Sequence, residues 1–156
     1  MTTNKSKEEA KKPVVLVVDD NLQNLELIMA YLEDVDCQTV SASSGMEALD
    51  IISSQIPDLV LLDVMMPKIS GFEVCRRIKN DPKTAHIPVI MVTALNELAD
   101  IEKAINSGTD DFLSKPVNKW ELITRVKTML KLKHLTDRLE KTLAYLSEVE
   151  KATNPR

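Results

Sequence analysis

Short apolar runs alternate along the chain with longer stretches whose apolar residues recur every three or four positions. Val14 to Val18 is apolar throughout, which predicts a strand buried on both faces. Leu22, Leu25, Ile28, Met29 and Leu32 follow at helical spacing. Cys37 to Ala42 predicts a second strand. Ser44 and Glu47 have the spacing of a capping box, and Met46, Leu49 and Ile52 line the helix it opens. Leu59 to Leu62 predicts a third strand. Ser70 and Glu73 repeat the capping box, ahead of a helix carrying Val74 and Ile78. Val89 to Val92, after Pro88, predicts a fourth strand. Glu97 to Ser107 reads as helix, with Gly108 as its C-terminal stop. Asp111 to Ser114 predicts a short fifth strand, and Asn118 with Glu121 caps a last helix.

Strand and helix thus alternate five times. Each crossover helix forces its two strands to run parallel, and right-handed crossovers cover both faces of the sheet. The predicted fold is α/β, a flavodoxin-like doubly wound (βα)5 sandwich with a five-stranded parallel sheet and an extended C-terminal helix. Residues 1–12 are expected to form a flexible tail, 13–133 the domain, and 134–156 a helical extension able to form a coiled coil. The 156 residues, 44% of them apolar, suffice for one core. A net charge of -4 argues against direct nucleic-acid binding. Cys37 and Cys75 are too few for a disulfide scaffold and read as buried thiols. Met1 to Lys12 lacks the apolar run of a signal peptide, and no segment approaches the roughly 20 apolar residues of a membrane span. A cytoplasmic protein without membrane contact is expected.

In such a sheet the active crevice lies at the carboxyl ends of the strands. Asp19 and Asp20 follow strand one, and Asp63 follows strand three. Thr93 and Ala94 follow strand four, and Lys115 and Pro116 follow strand five. Two like charges ~4 Å apart repel by about 4 kcal/mol at an effective dielectric near 20, so three gathered carboxylates need neutralising. A raised pKa would do this, and a hard divalent cation would do it better. Oxygen ligands with room for water suit Mg²⁺, with Mn²⁺ as an alternative. The Lys115 ammonium and the Thr93 hydroxyl would complete a phosphate-sized pocket.

This ordered set resembles the receiver domain of bacterial two-component response regulators, relatives of the chemotaxis Y protein. The matching features are the Asp19–Asp20 pair, Asp63 within Leu61 to Pro67, Gly71, Thr93 with Ala94, and Lys115 with Pro116, over about 120 residues. The resemblance implies a role for each position. Asp63 would accept a phosphoryl group from a sensor histidine kinase or phosphotransfer protein. Asp20 would bind Mg²⁺ directly, Asp19 through water, and the Met65 backbone carbonyl would add a ligand. Lys115, the Thr93 hydroxyl and the Ala94 amide would contact the phosphoryl oxygens. The Lys115–Pro116 peptide would be cis. Thr93 and Phe112 would form a switch that reshapes the face built from helix four, strand five and helix five. The protein would be no enzyme in the turnover sense, only a phosphoacceptor that catalyses its own phosphorylation and dephosphorylation.

Plainer readings stand beside these. Asp19 and Asp20 also suit a helix start, Thr93 a strand end, Lys115 an ordinary surface, and Phe112 a static core side chain. An aspartate-nucleophile phosphatase would place a second Asp two residues after the nucleophile, where this chain has Met65. A degenerate docking module would not need the full set of acids, Thr and Lys. Met65 and Leu95 should flank the phosphoryl group, where bulky apolar side chains hinder water and slow dephosphorylation.

Leu132, Leu135, Leu139, Thr142, Leu146 and Val149 follow a 3-4-3-4-3 spacing, a heptad seam. No Pro or Gly interrupts residues 117 to 153, so the last helix is expected to leave the domain as a rod. The seam predicts a homodimer, or a larger bundle widened by Leu143 and Tyr145, against the alternative of packing back on its own domain. Leu122, Val126 and Met129 meet the seam with an extra step, which suggests a change of packing partner along the helix. Seven residues follow Val149, so the expectation is a regulator acting through an unknown effector by protein contacts, or a receiver piece of a larger one.

Overall fold

The computed structural model describes residues 11–94 and 98–153. The first ten residues of the expected tail, Leu95, the expected helix start at Glu97 and residues 154–156 lie outside the described residues. Five strands alternate with five helices: β1 Val14–Val18, α1 Leu22–Leu32, β2 Gln38–Ala42, α2 Gly45–Ser54, β3 Leu59–Asp63, α3 Gly71–Asn80, β4 Val89–Thr93, α4 Leu98–Asn106, β5 Asp111–Ser114 and α5 Lys119–Thr153. The sheet is parallel throughout, in the order β2-β1-β3-β4-β5.

The apolar runs become the central strands because both faces are covered. One core layer joins Leu16, Val18, Leu62 and Met91 to Ile52, Val74, Ile78 and Ala104 of α2, α3 and α4. The other joins Val15, Val17, Leu61 and Val92 to Leu25 and Ile28 of α1 and to Leu122 and Val126 of α5. Alternate residues of one strand serve opposite layers, as the pleat requires.

The caps follow the sequence with differences in detail. The Ser44 hydroxyl accepts from Glu47 N–H at 3.1 Å, but the Glu47 carboxylate accepts from Ser43 N–H and hydroxyl rather than from Ser44. Ser70 likewise caps α3, while Glu73 pairs with Arg76 and Arg77 instead of closing a box. Asn118 accepts from Glu121 N–H at 3.0 Å and starts α5. Strand β2 begins at Gln38, because the Cys37 amide closes a turn onto Val35. Gly108 follows α4 at φ +86°, a conformation that favours glycine.

Helix α5 has two faces rather than one face that changes phase. At ~100° per residue, Leu132, Leu135, Leu139, Leu143 and Leu146 fall within about 40° of a single line, while Leu130, Lys133 and Asp137 lie about 120–180° from it. The second edge meets the domain. Lys133 Nζ reaches Asp58 at 3.4 Å and Asp137 at 2.9 Å, and Asp58 also accepts from Val14 N–H at 2.7 Å. The leucine line is between 49% and 59% exposed. The stripe therefore does not fold back on its own domain. Contact with the body reaches Asp137, and residues 138–153 are exposed throughout.

Candidate functional site

The carboxyl edge of the sheet gathers the residues expected there. Asp19 lies directly after β1, and its amide bonds to the Ala42 carbonyl of β2 at 3.1 Å, which continues the ladder by one residue. One Asp19 carboxylate oxygen accepts from Asn21 N–H at 2.9 Å. Asp63 is the last residue of β3, and Thr93 the last of β4. The Lys115 amide bonds to the Thr93 carbonyl at 2.8 Å, which ties the loop after β5 to β4. The Lys115–Pro116 peptide is cis, as the resemblance implied.

Side chains from opposite ends of the sequence meet. Carboxylate oxygens of Asp19, Asp20 and Asp63 all lie within 4.8 Å of one another. Lys115 Nζ donates to Asp63 at 3.0 Å and to Asp19 at 3.4 Å. Asp19 and Asp63 are buried, and Asp20 is exposed. Burial pushes the Asp63 carboxyl above its ordinary value. The Lys115 hydrogen bond opposes that shift, and the Asp19 charge adds to it. Burial also depresses Lys115, but its bonds and charge pairing with Asp63 and Asp19 outweigh this, and its pKa is raised.

Three carboxylates facing one ammonium leave two negative charges uncompensated. The donor set is all oxygen, one member is open to solvent, and the surplus equals the charge of one divalent cation. These residues fit a hard ion such as Mg²⁺. Among the described residues, the Thr93 hydroxyl is buried at the same edge with no hydrogen-bond partner. An orphaned buried hydroxyl costs free energy, so it marks a place where an acceptor is wanted.

Gly71 holds this edge together, for a reason that spacing alone did not disclose. Its amide bonds to the Val64 carbonyl at 2.9 Å. A Cβ there would overlap the Asp63 carbonyl oxygen and stand 2.8 Å from Val64 Cα. Only glycine lets the start of α3 press against the backbone that carries Asp63.

Other expected members sit further out. Met65 is 72% exposed on the loop after Asp63, and Ala94 is exposed after β4. Phe112 is 40% exposed, so it is no static core residue. Beside it, Arg125 of α5 pairs with Asp111 of β5 at 2.7 Å. The sequence reading missed a groove of about 520 Å³ next to Lys115, lined by Asn24, Leu27, Ile28, Tyr31, Pro116 and Val117. Leu27 alone hinted at it, as an exposed apolar residue of α1. Among the described residues, no helix is long and apolar enough to cross a membrane.

Known proteins resemble this chain in sequence and in fold. The sequence model of the response regulator receiver domain matches residues 15–127. Response regulator PleD of Caulobacter vibrioides is 42% identical over 125 residues, covering 80% of this chain and 28% of PleD. The DNA-binding dual master transcriptional regulator RpaA of Synechocystis sp. is 37% identical over 127 residues, covering 81% of this chain and 52% of RpaA. The chain therefore spans between 28% and 52% of the length of these two curated relatives. Among solved structures, the signal receiver domain of a signal transduction histidine kinase from Syntrophus aciditrophicus superposes with a TM-score of 0.73 at 34% identity, covering 76% of this chain and 90% of that one. The Francisella response regulator 1452 receiver domain gives 0.70 at 33% identity, covering 76% and 97%.

Proposed function

The chain belongs to the response regulator receiver family, and from that premise we propose that it is a phosphorylation-driven switch whose acceptor is Asp63. Receiver domains are signalling domains of two-component systems rather than turnover enzymes, and they are generally Mg-dependent. The observation that carries the assignment is the convergence of Asp19, Asp20, Asp63 and Lys115 at one sheet edge.

In this reading an Asp63 carboxylate oxygen bonds to phosphorus as the phosphorus–nitrogen bond of a phosphohistidine breaks. The imidazole leaves with the electron pair and takes a proton from solvent. Water later displaces the phosphoryl group as inorganic phosphate. Little covalent chemistry is asked of the protein beyond positioning and charge stabilisation. Asp19, Asp20, Asp63 and the Met65 carbonyl are the residues that would hold Mg²⁺, which when bound offsets the surplus negative charge of the acids and the phosphoryl oxygens. Lys115 pairs with a phosphoryl oxygen, and the Thr93 hydroxyl and Ala94 amide donate to others. Thr93 thereby gains the acceptor it lacks, and its movement leaves room for Phe112 to turn inward. The apolar side chain of Met65, carried on the loop beside Asp63, hinders water and lengthens the phosphorylated state.

The donor is a histidine kinase or a phosphotransfer protein, and the groove beside Lys115 offers it an apolar footing next to the acceptor. The leucine stripe of α5 takes a second copy of the chain. Residues 13–133 act as the receiver unit and 134–156 as the arm that carries its state to an effector. The effector, whether a separate protein or a further domain, belongs to this proposal and not to the family assignment.

Incubation with Mg²⁺ and a small acyl phosphate tests the central step. Wild type should acquire one alkali-labile phosphate per chain, and Asp63→Asn none. Rapid release of inorganic phosphate without accumulation would point to a phosphatase. No labelling of wild type would leave only a docking module.

A further inference from the structure

Resting on the second-copy reading of the α5 stripe, we propose that two copies pair in parallel and in register from Leu132 to Val149, with Thr142 set against the Thr142 of the second copy. In the heptad spacing, Thr142 is the one polar residue among the six core positions. Three of the four other threonines of α5 satisfy their hydroxyls internally, Thr124 being the exception among the described residues. Thr128 donates to the Thr124 carbonyl at 2.8 Å, Thr136 to Leu132 at 2.9 Å, and Thr153 to Val149 at 3.0 Å. Among the described residues, Thr142 makes no such bond. Thr142 is exposed in the single chain, and closing a seam otherwise made of Leu and Val around it would remove water from its hydroxyl and favour the register that supplies another acceptor.

The alternative orientations do this less well. An antiparallel pair that keeps the seam closed sets Leu132 against Val149, Leu135 against Leu146, and Thr142 against Leu139. That buries two hydroxyls against leucine. An antiparallel pair centred on Thr142 brings Leu139 toward Tyr145 and Leu146 toward Arg138, which opens the seam. In the parallel register every core residue meets its own kind across a two-fold axis. The flanking neighbours are then Lys131 with Thr136, Arg138 with Leu143, and Tyr145 with Glu150. No like charges face each other, and the Tyr145 hydroxyl lies within reach of a carboxylate acceptor.

Parallel pairing also has a consequence for the switch. The line of the stripe continues up α5 over Thr128, Arg125 and Glu121. Arg125 is the residue paired with Asp111, next to Phe112. The Lys133 contact with Asp58 fixes α5 to the body on the opposite edge. The two bodies would then lie side by side, with the Arg125 edges facing the dimer axis and the coil beginning where that face ends. An antiparallel pair would put the bodies at opposite ends and separate those edges.

Single cysteine substitutions in the full chain test this. Under mild oxidation, Leu135→Cys should run mostly as a disulfide-linked dimer. Wild type, with Cys75 buried and Cys37 half-buried, should run as a single chain under denaturing conditions. Leu135→Cys mixed with a size-tagged Leu146→Cys should give no cross-linked heterodimer. Cross-linking of the mixture, with none in Leu135→Cys alone, would overturn the parallel register while leaving the second copy in place. A monomer by sedimentation at tens of micromolar would remove the second copy itself. Phosphate labelling at Asp63 reads the receiver assignment separately from either result. As a further arm, Thr142→Leu should keep the dimer by sedimentation but let the heterodimer cross-link appear, since the residue that sets the register is gone. A Thr142→Leu chain that still cross-links only at matched positions would deny Thr142 its part.

Discussion

Two lysines at opposite ends of the sheet are built alike. At the carboxyl edge, Lys115 lies 3.0 Å from Asp63 and 3.4 Å from Asp19. At the amino edge, Lys133 lies 2.9 Å from Asp137 and 3.4 Å from Asp58. For both, burial lowers the pKa and the two carboxylates more than restore it. The difference is in what remains unsatisfied. Asp58 also accepts the Val14 amide, and two acids facing one lysine leave one negative charge, at carboxylates that are partly open to water. At the other end Asp20 adds a third acid, burial raises the Asp63 carboxyl, and among the described residues the Thr93 hydroxyl has no partner. Ion-pair geometry does not distinguish a fastening from a binding site. The surplus charge and the orphaned donor do.

Exchanging each lysine for a neutral chain of similar length is the strongest way to break this contrast. Lys115→Met should slow phosphorylation from the acyl phosphate by about 10²-fold or more, as loss of a single charge-stabilising donor does elsewhere. Lys133→Met should leave labelling unchanged and cost about 1–2 kcal/mol in urea unfolding, less than a fully buried pair because its carboxylates keep water contact. Equal loss of labelling in both variants would make the two ends equivalent.

An effect on labelling smaller than that of Lys115→Met is expected from the backbone beneath Asp63. Gly71→Ala should cost about 1–3 kcal/mol, since the added methyl has only main chain to push against. It should also slow labelling, because what it displaces carries the acceptor. A variant that loses stability and labels at the normal rate would separate the support of α3 from the site.

The contrast explains what the sequence could and could not reveal. The strands were legible because Val14 to Val18, Leu59 to Leu62 and Val89 to Val92 are apolar at every position, as a sheet covered on both faces requires. The carboxyl edge was legible because topology alone sends Asp19, Asp63, Thr93 and Lys115 to one line, whatever their rotamers. Lys133 was not legible. It stands among polar residues of a long helix, and only the tertiary path of α5 over the start of β3 brings it to Asp58. The two faces of α5 look like one drifting stripe in the sequence for the same reason, since spacing does not say which face the body takes. Gly71 was visible as a matching position, but the closeness of α3 to the Asp63 carbonyl depends on the loop between them. Phe112 was left open between core and switch because β5 is an edge strand, and its outer neighbour is solvent rather than another strand.

The smallest expected effect isolates the surplus charge itself. The folded protein holds the Asp63 proton more tightly than the unfolded chain does, because burial raises that carboxyl above its ordinary value near 3.9. Stability linked to this group is therefore present at low pH and lost as pH rises from that ordinary value through the raised one. At neutral pH the ionised Asp63 is a net cost in the metal-free protein. Asp63→Asn, which keeps the shape and removes the charge, should then be more stable than wild type by on the order of 1 kcal/mol after allowance for solvent screening. The advantage should shrink below the ordinary carboxylate range, where wild type is itself protonated. It should also shrink at neutral pH as Mg²⁺ is added, because a cation that binds the folded acids stabilises wild type by mass action. Urea unfolding of both chains across pH, with and without Mg²⁺, reads all three. A wild type more stable than Asp63→Asn at neutral pH without metal would mean that Lys115 already compensates the three acids, and the contrast between the two ends of the sheet would lose its electrostatic basis.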